Sequence, residues 1–66
     1  MKVILNGSAR ELADGTGLLE LIDQLGLRPG SVVVERNGEA LVRSEMDAVT
    51  LADGDRLELV RAVAGG

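Results

Sequence analysis

The stretch DGTGLLELIDQLGLRPG, Asp14 to Gly30, decides the fold because the hydrophobic period changes there. Leu18, Leu21, Ile22 and Leu25 fall at i, i+3, i+4 and i+7, which draws one apolar stripe along a helix. Thr16 is placed as its N-cap. Gly26 stands where a C-cap needs a left-handed residue, Leu27 folds back onto the last turn, and Pro29 prevents continuation. These signals predict a helix of about 9 or 10 residues, too short to persist alone. It must lay its stripe on a sheet.

The flanking sequence supplies that sheet with period two. KVILNGSARELA, Lys2 to Ala13, reads as a hairpin. Val3 and Leu5 alternate with Lys2 and Ile4, Asn6-Gly7-Ser8 turns the chain, and a second run follows from Ala9 to Ala13. That run has Leu12 as its main core candidate, and Arg10 and Glu11 suit an edge strand. SVVVERNGEALV, Ser31 to Val42, is a second hairpin: Val32 to Arg36, a type I′ turn at Asn37-Gly38, and a return from Glu39 to Val42. In RSEMDAVTLADGD, Ser44 as a cap with Asp47 three residues on predicts a single helical turn anchored by Met46, Val49 and Leu51. Asp53-Gly54-Asp55 is a turn, and RLELVR is a last strand with Leu57 and Leu59 on one face and Glu58 and Val60 on the other.

The order is β-β-α-β-β-turn-β. A helix between two hairpins buries its stripe only by lying across one sheet face, and the last strand finds its natural partner in the first, parallel and central. The expected fold is α+β, a β-grasp with a mixed sheet and one helix packed across one face. The expected core is Val3, Leu5, Leu12, Leu18, Leu21, Ile22, Leu25, Val32, Val34, Leu41, Leu51, Leu57 and Leu59, all aliphatic. Residues 1–61 form the domain and 62–66 a flexible C-terminal tail ending in Gly-Gly.

Composition narrows function. Sixty-six residues bury one thin core rather than a deep enclosed substrate site. The chain has no Cys, so no thiol serves as nucleophile, redox centre or ligand, and no His, the commonest general base and metal ligand. It has no aromatic residue for base stacking, and its net charge of −4 repels phosphate backbones, which speaks against nucleic acid as a partner. No apolar run approaches membrane-spanning length, and MKVILNGS turns polar too early for a signal peptide, so a soluble, cytoplasmic protein is expected. Asp53 and Asp55 flank a glycine but lack the further carboxylates of a calcium loop, and DGTG lacks the spacing of a phosphate loop. Glu11, Asp14, Glu20 and Asp23 are solvated charges. The expectation is that the chain binds no metal or cofactor itself and is a cosubstrate rather than an enzyme.

A β-grasp whose final strand runs into a short tail ending in Gly-Gly resembles the ubiquitin-like proteins, and more specifically the ThiS family of sulfur carriers. The likeness covers the whole chain: Met1 to Gly7 with its Asn-Gly, then TGLLELIDQLG, VERNGE, VRSE, an L-x-D-G-D-x-L-E-L-V segment from Leu51 to Val60, and AVAGG at the end. Each motif alone is weak; their order and spacing are specific. The family often writes a proline where this chain has Val42. The resemblance implies that a ThiF-type adenylyltransferase uses ATP and Mg to activate the C-terminal carboxylate of Gly66. Sulfur from a persulfide-bearing donor protein then converts it to a thiocarboxylate. A thiazole synthase of the ThiG type would consume that sulfur for thiamine. Two alternatives stay open: the molybdopterin synthase small subunit or another sulfur carrier, and a ubiquitin-like modifier or interaction module. A chain-building modifier needs lysines, and Lys2 is the only one.

The tail has its own physical logic. Five extended residues from Ala62 reach at most about 17–18 Å. Gly65 and Gly66 lack Cβ and fit a narrow channel, Ala62 and Ala64 are nearly as slim, and Val63 is the one sizeable anchor. A frayed end is the simpler reading of two glycines alone; joined to this last strand they read as functional, and a mobile free tail is expected. Alternation also turns Ile4, Val33 and Val60 outward, away from the helix. They are expected to form one apolar partner-binding patch ringed by Lys2, Glu35 and Glu58, against the plainer reading of β-branched residues on a solvated face.

Overall fold

A computed structural model describes residues 1–62. The expectations for Val63, Ala64, Gly65 and Gly66 lie outside the described residues. The elements are β1 (Lys2–Leu5), β2 (Ser8–Glu11), α1 (Leu18–Gln24), a 3₁₀ turn (Pro29–Ser31), β3 (Val32–Arg36), β4 (Glu39–Leu41), α2 (Arg43–Met46) and β5 (Arg56–Arg61). The five strands form one sheet in the order β2-β1-β5-β3-β4. β1 and β5 run parallel, and every other neighbouring pair is antiparallel. This is the mixed sheet with a helix across one face that the period changes predict.

Both hairpins close as Asn-Gly requires. Asn6 and Gly7 have φ of 49° and 84°, and Asn37 and Gly38 of 51° and 85°. Two consecutive left-handed residues make a type I′ turn, whose twist matches that of the strands. The register follows, with Leu5 opposite Ser8 and Arg36 opposite Glu39. The second strand is therefore Ser8–Glu11, starting one residue before the expected Ala9 and ending before Ala13.

The helix is seven residues rather than nine or ten, and both differences lie at its ends. Gly17 is the N-cap, not Thr16. Thr16 is buried, and its hydroxyl donates instead to the Ala13 carbonyl at 2.6 Å. The Glu20 carboxylate accepts the Gly17 N–H at 3.4 Å, which supplies half of a capping box. At the other end the Leu27 N–H reaches the Ile22 carbonyl (3.1 Å) and the Gly26 N–H reaches that of Asp23 (2.9 Å). With Gly26 at φ 73° this is a Schellman ending. α2 is likewise capped by Val42, not Ser44: the Glu45 carboxylate accepts the Val42 N–H at 2.9 Å.

The core holds Val3, Leu5, Leu12, Leu18, Leu21, Ile22, Val32, Val34, Leu51, Leu57 and Leu59 as expected, plus Met46. Met46 is the anchor expected of the single helical turn, and its burial carries it into the core cluster. Leu25 and Leu41 are only half-buried because each stands at the end of its element, α1's C-cap and the last residue of β4.

Asp55 is more than a turn residue. It is buried, and its carboxylate accepts bonds from the Ala52 N–H (2.8 Å), the Asn37 side-chain amide (3.0 Å) and the Arg36 Nε (3.0 Å). Asn37 in turn accepts the Arg56 N–H at 2.9 Å. The clip ties the second hairpin's turn to the entry of β5. Burial pushes the Asp55 carboxyl up, but the Ala52 amide, Asn37 and Arg36 outweigh it and hold the group below its ordinary value. A lowered folded value means that the stabilisation is complete above the unfolded aspartate value of about 3.9 and fades as pH falls through the lower folded one. Asp55→Asn is expected to cost about 1–3 kcal/mol at neutral pH. Urea unfolding as a function of pH should also show a flatter acid limb for the variant than for the parent.

Candidate functional site

The chain leaves the sheet along β5, so that strand's end and its outer face form the candidate site. β5 alternates as its sequence requires: Leu57 and Leu59 are buried against α1, while Arg56, Glu58 and Val60 are exposed on the face the helix does not cover. Ala62 follows Arg61 and donates its N–H to the Ser31 carbonyl at 2.7 Å, adding one rung beside β3. The point where residues 63–66 begin is thus anchored to the rim of the sheet.

Register divides the three expected patch residues. Val33 and Val60 are directly opposite across the β3–β5 ladder, with exposures of 52% and 59%. Ile4 lies opposite Arg56 instead and is half-buried. Four residues of strand separate Arg56 from Val60, about 13 Å, and Glu58 stands between them. The structure therefore brings Val33 and Val60 together and leaves Ile4 apart, beside Ala9 of β2.

The third member of the apolar row is Val42, which the sequence reading passed over. Leu41 pairs with Val34, and Val42 remains extended with ψ 158°, so continuing the register by one residue sets it across from Val33. It is 59% exposed. A row Val42–Val33–Val60 thus crosses the outer face at its tail end. Counting outward from the Asn37-Gly38 turn would have found Val42, because a two-residue turn fixes every pairing behind it.

The next row inward is acidic. Glu35 and Glu58 are directly opposite, and both are exposed. Like charges at opposed positions destabilise a sheet. No oppositely charged side chain pairs with either among the described residues. The outer face therefore carries an apolar row and an acidic row side by side, next to the strand end that leads to the tail. Lys2 and Arg56 lie further back on the same face, near Ile4.

Among the described residues no cavity opens, and no group of three or more His, Cys, Asp or Glu gathers as a metal site. No described helix is long and apolar enough to cross a membrane. What the described surface offers is an apolar row beside an acidic one and an anchored strand end.

Comparison with known proteins gives a consistent set of likenesses. The family model described as the ThiS family matches residues 3–66. A sulfur carrier protein ThiS from Thermus thermophilus is 38% identical over 64 residues, covering 97% of this chain and 98% of that protein. A protein named thiazole synthase from Paramagnetospirillum magneticum is 36% identical over 66 residues, all of this chain. The chain spans only 20% of the length of that relative. The crystal structure of a thiamine biosynthesis protein (ThiS) from Geobacter metallireducens superposes with a TM-score of 0.84 at 35% identity, covering both chains fully.

The acidic row carries its own test. Glu35→Lys would set an ammonium opposite Glu58 and is expected to stabilise the fold by about 0.2–1 kcal/mol. Denaturation at low and high salt checks it, since most of the gain should disappear at about 1 M salt.

Proposed function

The chain belongs to the ThiS family, and from that premise we propose that it is a sulfur carrier for thiamine biosynthesis, with the Gly66 carboxylate as the carrying group. The observation that supports this most is the match to a sulfur carrier of nearly the same length over 97% of this chain, together with a family model that runs through Gly65 and Gly66.

The chemistry explains the need for partners. A carboxylate is a poor acyl donor, because its charge repels nucleophiles. A ThiF-type adenylyltransferase, with ATP and Mg, converts the Gly66 carboxylate to an acyl-adenylate and releases pyrophosphate. The terminal sulfur of a protein persulfide attacks the acyl carbon, AMP leaves, and a thiol cleaves the remaining S–S bond to free the thiocarboxylate. A thiazole synthase of the ThiG type then takes the sulfur. In support, relatives named thiazole synthase contain a stretch like this whole chain within a protein about five times as long.

In this scheme the folded body is the handle and the tail the reagent. Gly66, Gly65, Ala64 and Val63 thread toward the ATP site from Ala62, which is held by Ser31 rather than free as the tail boundary at 62 expected, and small side chains let them enter a narrow channel. Ordering them costs about 1–2 kcal/mol of backbone entropy per residue. The docked body must offset this, and the row Val42–Val33–Val60 is the apolar surface placed to do so, with Ile4 a separate contact behind the acidic row. The chain contributes no general base or nucleophilic side chain of its own to this chemistry and acts as a cosubstrate.

Incubation with a ThiF-type enzyme, ATP and a persulfide donor should raise the intact mass by the difference between sulfur and oxygen. Deleting Gly66 should abolish the gain, and an unchanged mass with a competent enzyme would overturn the reading. Val33→Ser with Val60→Ser should leave the melting temperature within a few degrees, since both side chains are exposed. The same pair should raise the KM for adenylation about tenfold, read by pyrophosphate exchange, if the face contributes about 1.4 kcal/mol to docking.

A further inference from the structure

Both hairpin turns set an asparagine before a glycine, and that pair has a chemistry of its own. The glycine nitrogen, with no side chain beside it, can attack the asparagine Cγ and close a succinimide ring. Ammonia leaves. Water then opens the ring at either carbonyl, giving aspartate or, with the main chain rerouted through Cγ, isoaspartate. The glycine half of each pair is open here. Gly7 and Gly38 are exposed, and nothing beyond their chain neighbours lies within 4 Å of where a Cβ would stand. The asparagine half is closed. The Asn6 carboxamide accepts the Leu59 N–H at 2.8 Å and donates to the Leu59 carbonyl at 3.2 Å. The Asn37 carboxamide accepts the Arg56 N–H at 2.9 Å and donates to the Asp55 carboxylate at 3.0 Å. Each is held through both of its polar atoms, so its Cγ is not free to swing over the following nitrogen. The two guards differ in kind. Asn6 is held by main chain alone, whereas Asn37 depends on a side chain, the buried Asp55, which the Ala52 N–H and Arg36 Nε fix in place.

We propose that Asn37 is a latent modification site: a succinimide- and isoaspartate-forming position that Asp55 keeps shut in the folded chain, and whose modification opens the clip between the second hairpin and β5. The inference stands apart from the carrier reading, since it does not depend on what the chain carries. Without the Asp55 bond the carboxamide is held by the Arg56 N–H alone, and rotation then brings its Cγ within reach of the Gly38 nitrogen. The product cannot restore the contact. An aspartate product sets a second carboxylate where an amide donor met Asp55, and two carboxylates at that distance disfavour each other's charge. An isoaspartate product lengthens the main chain inside a two-residue turn, and that turn fixes the β3–β4 register. The step is therefore one-way, and a clip that opens long enough to react stays open. Asn6 supplies an internal reference. It has the same glycine neighbour and the same left-handed turn, but no side chain guards it.

The test keeps the full 66-residue chain folded in a mildly basic buffer and follows both asparagines over time by peptide mapping, reading mass and isoaspartate content. Asp55→Ala should raise the rate at Asn37 about tenfold to a hundredfold, the effect of losing a hydrogen bond to a charged acceptor. The rate at Asn6 should stay near that of the parent. A second measurement needs no variant. Urea added to the parent below its unfolding midpoint should leave the Asn37 rate flat, because opening one side-chain contact exposes little surface. Urea above the midpoint should bring both asparagines to similar, faster rates. Three results overturn the inference: an Asn37 rate in the folded parent equal to that of the unfolded chain, a folded Asp55→Ala variant in which Asn37 gains no more than Asn6, or a parent Asn37 rate that climbs with urea from the first addition. Where Asp55→Ala does not fold, the urea series on the parent decides alone.

Discussion

The parallel ladder between β1 and β5 joins the two ends of the chain, pairing Ile4 with Arg56 and Leu5 with Leu57. A parallel contact cannot be made by a tight turn, so everything between the two strands is arranged to bring them together. The first hairpin extends the sheet on one side of the pair and the second on the other, while α1 crosses over one face. Val3, Leu57 and Val34 lie on three adjacent strands and are essentially inaccessible to solvent. Breaking the central pair would open the core along its middle rather than at an edge.

The same arrangement decides how β5 is held. Because β5 is central, it is gripped from both flanks up to Leu59, by β3 and by β1 with the Asn6 carboxamide. Past that point only the β3 side continues, through Val32 opposite Arg61 and the Ala62–Ser31 bond. The transition from a strand held on two sides to one held on one side happens over two residues. Residue 62 is thereby held on the β3 side alone.

The outer face departs from what stability alone would select. A sheet selected for stability alone would place opposite charges at opposed exposed positions, yet Glu35 faces Glu58. It would also avoid a solvent-facing row of valines. Here both features occur together beside the end of β5, whereas the strand residues buried in the core (Val3, Leu5, Val32, Val34, Leu57 and Leu59) are all aliphatic. The sheet thus buries one face in the core and leaves the other to solvent. Asp55 belongs to the folding side of that division: its carboxylate is almost fully used in locking the Asn37-Gly38 turn against the start of β5.

The amino-acid sequence by itself determined the element order, both hairpin turns, the C-terminal stop of α1 and nearly all of the core. Each of these follows from signals a few residues apart, such as Asn-Gly pairs, helical spacing and Gly26 before Pro29. The likeness of the full chain to one family was legible in the same way, as a series of short motifs in order. Tertiary structure decided what depends on register between distant strands. Val42 joins Val33 and Val60 while Ile4 does not, Glu35 meets Glu58, and Asp55 gathers Arg36 and Asn37. Thr16 and Ser44 looked like caps because their chemistry allows it, but packing moved each helix start by a residue or two. The physical reason is the same throughout: local propensity is set by neighbours in sequence, whereas a surface is made by residues that only the folded sheet brings side by side.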